Sequence, residues 1–114
     1  MLRLFKSTTI FNKQWSDLGL DDDDQYRLEI EIMNNPNAGK IIRGTGGLRK
    51  VRFAIEGKGK SGSIRVLYVD FVIVETVYFI GAYAKSAQES LTDEEKTSLK
   101  NMVQQIKREG GKKR

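Results

Sequence analysis

Along the 114 residues, the spacing of apolar positions changes several times, and each change marks an element. Leu2 and Leu4 suit a short first strand. Phe11, Trp15 and Leu18 then recur at i, i+4 and i+7 behind Ser7 and Thr8, either of which can cap a helix. This predicts a helix over Ser7–Leu18, ended by Gly19 as the residue past its C-terminus. The run Asp21–Asp24 supplies a cap and first-turn carboxylates for a second helix, roughly Asp22–Asn34. Tyr26, Ile30 and Met33 make its expected inner stripe, with Leu28 and Ile32 flanking, and Asn34-Asn35-Pro36 stops it.

A glycine-punctuated loop over Gly39–Gly47 leads into near-alternation from Leu48 to Glu56. Val51, Phe53 and Ile55 face one way; Lys50, Arg52 and Ala54 face the other. That pattern is a half-buried strand with a cationic open face. Gly57–Gly62 reads as a hairpin loop, Ser63–Asp70 as the return strand and Glu75–Ala84 as a third, giving an antiparallel meander. Thr92 and Glu95 form a capping box, and Leu99, Met102, Val103 and Ile106 line one face of a last helix. The predicted fold is α+β, with an N-terminal strand and two helices packed on a small antiparallel sheet, then a C-terminal helix. The expected organisation is a single domain over residues 1–109 with a basic flexible tail at 110–114. The turn Val72–Glu75 is unusual in lacking Gly, Asn or Asp. Apolar residues there mean either a misplaced strand boundary or a surface that a partner covers.

Composition narrows the chemistry. The chain has no cysteine, which removes disulfides, thiolate nucleophiles and most zinc sites. It has no histidine either, so neither a Ser–His–Asp triad nor a two-histidine ribonuclease pair can be assembled. The longest apolar stretch, Val66–Ala84, is broken by Asp70 and Glu75 and is rich in β-formers, so it reads as strands and not as a membrane span. With no secretory signal pattern at Met1–Lys6, the expected location is the cytoplasm, without membrane contact. The formal net charge is +5, and its placement matters more than its sum. Between residues 40 and 66, eight basic side chains face Glu56 alone. A polyanion-binding surface requires such clustering; solubility does not.

Several motifs invite chemistry. Gly44-Thr45-Gly46-Gly47 lacks the Gly-Lys-Ser/Thr ending of a phosphate loop and runs into a strand, so its glycines read as turn-makers. The four-aspartate run could hold a cation, but helix capping is the stronger reading, and no metal or cofactor is expected. Lys58 and Lys60 sit where an exposed hairpin could grip a phosphate backbone, or serve the loop alone. Arg65 stands inside an apolar strand, and Lys85 just past the next one. Lys50, Arg52, Arg65 and Lys85 can share one sheet face or its rim. Like charges gathered there lose stability unless an anion sits among them.

The ordered blocks Gly44–Arg52, Gly57–Gly62, Ile64–Tyr68, Tyr83–Lys85 and Leu91–Glu94 resemble the HigB branch of the RelE toxins over nearly the whole chain. The resemblance implies a ribosome-dependent endoribonuclease that cuts translated mRNA without a metal. It also implies a cognate antitoxin, commonly a helix-turn-helix protein of the HigA type, through which an oligomer forms. Position by position, Lys50 and Arg52 match the paired cations that bind phosphate or act as base. Arg65 matches the arginine that stabilises the transition state, and Lys85 the cation that assists the leaving group. Arg49, Lys58, Lys60, Tyr68 and Tyr83 are the further RNA-binding candidates. A tyrosine that some RelE members carry beyond the last strand has no match in Ser86–Leu91. Two rivals stay open: a ParE-type gyrase poison on the same fold, and a non-enzymatic RNA- or DNA-binding module.

Overall fold

A computed structural model describes residues 3–54, 63–87 and 90–111. The element order is β1 (Leu4–Ser7), α1 (Thr9–Asp17), α2 (Asp22–Asn34), β2 (Lys40–Ile41), β3 (Arg49–Ala54), β4 (Ser63–Phe71), β5 (Thr76–Ala84) and α3 (Asp93–Gly111). The strands form one sheet in the order β1-β5-β4-β3-β2. The α+β class and the meander β3-β4-β5 agree with the sequence reading, with three differences. The sheet is mixed, because β1 pairs parallel to β5. A parallel pair needs a long crossover, and α1 and α2 supply part of it. A short β2, inside the expected glycine loop, pairs with β3. Finally, α3 runs to Gly111, two residues into the expected tail.

The two faces of the sheet have different covers. One packs on α1 and α2, with Phe11, Trp15, Leu28 and Ile32 meeting Phe53, Val66, Tyr68 and Phe79. Its centre is a run of aromatic contacts in which Phe79 stacks on Phe5 at 5.7 Å and on Phe11 at 5.1 Å. The other face packs on α3, where Leu99, Met102, Val103 and Ile106 cover Leu67, Val69 and Ile80. The apolar stripe expected for α3 is therefore the one it buries. Its start is also as expected, with Thr92 and Glu95 exchanging side-chain-to-backbone bonds of 2.9 and 3.1 Å.

Helix α2 has the expected bounds but the opposite face turned inward. Asp24, Leu28 and Ile32 are buried, whereas Tyr26 and Ile30 are exposed. The cause lies in its first turn. The Asp24 carboxylate accepts the Asp21 backbone N–H at 3.0 Å while Asp21 returns a bond from Asp24 N–H, and Arg27 donates to Asp24 at 3.1 Å. These contacts turn Asp24 inward, and the positions one and two turns on are then Leu28 and Ile32. Arg27 also lies over the Phe53 ring, 5.0 Å from its centroid.

A register shift between Leu67 and Tyr68 leaves Ile80 of β5 without a partner on β4. Helix α1 satisfies the backbone groups this frees. Gln14 Oε1 accepts the Ala82 N–H at 2.9 Å, and Thr8, the N-cap of α1, donates to the Ile80 carbonyl at 3.1 Å. The shift decides which side chains of β5 face α3 beyond it, Tyr83 included.

Close approach fixes Gly39. Its φ is +79°, and a Cβ there would overlap the Lys50 carbonyl of β3. The variant Gly39→Ala is expected to lose β2–β3 pairing and about 1–3 kcal/mol from backbone strain alone, read from the urea midpoint.

Candidate functional site

The register of the sheet gathers the candidate cations on the α3 side. Arg52 of β3 stands opposite Arg65 of β4, and Arg65 opposite Tyr83 of β5. One pleat away, Lys50 stands opposite Leu67, which belongs to the cluster beneath α3. Lys85 lies in the turn just past β5 and donates its backbone N–H to the Ser63 carbonyl at 3.4 Å. Lys50, Arg52 and Arg65 therefore share the α3 side of the sheet, with Lys85 at its rim beside Ser63. Arg52 and Lys85 are exposed, and Lys50 and Arg65 half-buried. Among the described residues, no carboxylate pairs with any of the four.

The opposed guanidiniums of Arg52 and Arg65 are a like-charge cross-strand pair, which is unfavourable in the empty protein. An anion between them reverses the sign. Among the described residues, Arg65 donates from Nη1 to Ser63 Oγ at 2.8 Å. Tyr83 is half-buried against the cluster beneath α3, and its hydroxyl is buried with no hydrogen-bond partner among the described residues. Burial raises its pKa above the usual phenol range; nearby Arg65 opposes this and Glu95 adds to it. The phenol therefore stays protonated at neutral pH, as a donor.

Two of the RNA-binding candidates stand elsewhere. Tyr68 is fully buried on the opposite face, among the residues that meet α1 and α2. Its hydroxyl donates to the carbonyls of Pro36 at 3.1 Å and Ala38 at 2.6 Å, and burial, the largest cause, pushes its pKa up to about 12. It holds the connection between α2 and β2 and offers no ring for a base. Arg49 shares the Tyr68 row and is bound to the same connection, donating to the carbonyls of Asn37 at 3.0 Å and Gly39 at 3.1 Å. Apolar body and polar tip made both side chains ambiguous in the sequence; the α2–β2 connection takes their polar ends. The variant Tyr68→Phe is expected to cost about 1–3 kcal/mol by leaving two carbonyls without that donor. Thermal denaturation reads the loss, and RNA binding of the folded protein should be unchanged. Lys58 and Lys60, with their hairpin loop, lie outside the described residues.

Ser63, which pattern reading passed over as a strand-start residue, is the one side chain among the described residues that bonds Arg65. Its position two residues before Arg65 on a strand was the available signal, since i and i+2 share a face. The turn Val72–Glu75 lies at the far end of β4 and β5, where the sequence placed it, so a misplaced boundary does not explain its apolar tip. Ile73 is 95% exposed there and Glu75 has φ +52°. Beside it a groove of about 710 Å³ runs between the sheet and the end of α3, lined by Lys6, Phe71, Tyr78 and Ile106 among others. It contains none of the candidate cations. No helix among the described residues is long and apolar enough to cross a membrane.

Similarity to known proteins agrees with this architecture. Two of the solved structures that match do so at 17% identity. One, a double-arginine mutant of the E. coli toxin RelE in the free state, has a TM-score of 0.54, with 78% of this chain and 90% of that one covered. The other, a chain of the intact E. coli RelBE toxin-antitoxin complex, has a TM-score of 0.50, covering 72% and 95% respectively. At that identity they establish a shared fold. The family model described as the RelE toxin of the RelE / RelB toxin-antitoxin system matches residues 2–113, so this chain belongs to the RelE toxin family.

Proposed function

We propose that the protein is the toxin of a type II toxin-antitoxin pair, of the HigB branch, and that it cuts mRNA on the translating ribosome in the cytoplasm. The observation that carries the reading is the cation row opposite and beside Arg65, none of whose members forms a salt bridge among the described residues. In the proposed reaction the ribose 2′-hydroxyl attacks the adjacent phosphorus. Its proton leaves to Lys50 or a neighbouring base, and the 5′-oxygen departs, with Lys85 placed to assist it. Arg65 and Arg52 bind the charge that builds on the phosphorane oxygens. A preorganised cationic cradle of this kind can supply much of the rate without a metal. The chain offers no histidine for proton transfer, and positioning of the RNA is assigned to the ribosome. Its neutralising partner in this reading is a cognate antitoxin, a pairing supported by RelE's presence with an antitoxin in the E. coli RelBE complex, and the HigB resemblance makes that antitoxin a helix-turn-helix protein.

A reconstituted translation reaction tests this. Purified protein should cut an mRNA that is being translated and leave the same mRNA intact when initiation is blocked. Intact mRNA together with inhibition of gyrase supercoiling would favour the ParE-type alternative, and saturable RNA binding without cleavage would favour a binding module.

A further inference from the structure

Resting on that reading, we propose that Ser63 is a positioning residue for Arg65: its Oγ holds one arm of the guanidinium so that the other edge meets the scissile phosphate. Ser63 opens β4, and Arg65 lies two residues on, so both side chains leave the same face of the sheet. The bond runs from Nη1 of Arg65 to Oγ of Ser63 at 2.8 Å. With Nη1 engaged, the Nε–Nη2 edge is the pair of parallel donors left for bidentate contact with phosphate oxygens.

The need for a tether comes from the register. Arg52 stands directly across from Arg65, and two guanidiniums in that relation repel. Arginine also carries about 2 kcal/mol of rotamer entropy, so a half-buried Arg65 without an anchor would sweep away from Arg52 before substrate arrives. No carboxylate among the described residues restrains it, as one would in an ordinary structural ion pair. A neutral hydroxyl anchors the arm without cancelling its charge, which a phosphate site requires. The same residue also places Lys85, whose backbone N–H meets the Ser63 carbonyl at 3.4 Å. That link runs through the main chain and survives substitution of the side chain, so the variants below isolate the hydroxyl.

The test compares wild type, Ser63→Ala, Ser63→Thr and Arg65→Ala on ribosomes stalled on a defined mRNA, with kcat and KM taken from the dependence on ribosome-complex concentration. Ser63→Ala is expected to lower kcat roughly ten- to hundredfold, the scale of a misplaced catalytic group. Its KM should stay within about twofold and its melting midpoint unchanged, because a half-exposed strand-end hydroxyl contributes little to stability. Ser63→Thr, which keeps the hydroxyl, should restore most of the rate. Cleavage by Ser63→Ala at the wild-type rate, a fall that tracks loss of folding, or failure of threonine to rescue would overturn the assignment. If wild type cuts and Arg65→Ala does not, such a result rejects Ser63 alone; absence of cleavage by wild type rejects the proposed function and this role with it.

Discussion

Replacing Arg65 with alanine is expected to reduce mRNA cleavage by about 10²–10³-fold, the usual cost of removing one preorganised charge donor at a developing oxyanion. The fold should survive. Arg65 is half-buried, bonds only Ser63 among the described residues, and stands opposite a like charge, so its removal relieves repulsion as much as it removes contact. Single-turnover cleavage and a thermal melt on the same preparation separate the two effects. The structural hypothesis requires a large fall in rate with a melting midpoint within a few degrees of wild type. Arg65→Lys keeps the charge but not the fork, and should recover only part of the loss. Full activity in the alanine variant would remove Arg65 from the reaction.

The largest loss of stability is expected at Phe79. Its ring is fully buried at the centre of the α1–α2 side, stacked between Phe5 and Phe11, and the second of these continues the stack to Trp15 at 5.2 Å. Phe79→Ala removes contacts on both sides and leaves a cavity that its two rigid aromatic neighbours cannot easily fill, at a cost of about 3–5 kcal/mol. That is a large share of the roughly 5–15 kcal/mol that holds an ordinary domain together. The denaturant midpoint should fall steeply, and at growth temperature the variant should accumulate poorly. A loss below about 1 kcal/mol would mean that the aromatic stack is not the centre of this core.

The two faces of the sheet were legible in the sequence to different degrees. On β3 Lys50 and Arg52 alternate with Val51 and Phe53, and the face the two cations share carries no large apolar side chain, so period two marked both the strand and its cationic side. The partner row followed once β4 was in register, because Arg65 is the lone charge in an apolar run. Residues that serve either environment were harder. Tyr68 and Arg49 have apolar bodies and polar tips, and only the course of the chain from Pro36 to Gly39 shows that carbonyls there take those tips. The phase of α2 was set by the reciprocal Asp21–Asp24 cap, a local polar contact that outweighed the larger side chains of Tyr26 and Met33. The short β2 has two residues, too few for any period to register. The shift at Ile80 has no pattern of its own, and the side chains that bond the strand beside it, Gln14 and Thr8, lie more than sixty residues away.

Family membership settles the ancestry of the fold and leaves the reaction to the residues. The gyrase alternative would use the same sheet without needing Lys50, Arg52, Arg65 and Lys85 gathered beside one another. Among the described residues none of these cations has a salt-bridge partner, and in the proposed function phosphate offsets the cost of gathering them.

Mapping mRNA 5′ ends in cells after induction of wild type and Arg65→Ala tests the central claim most directly. The expected result is growth arrest with new ends inside reading frames for the wild type, lost when initiation is blocked, and neither arrest nor new ends for the variant. Growth arrest with intact mRNA, or identical new ends from both proteins, would contradict it.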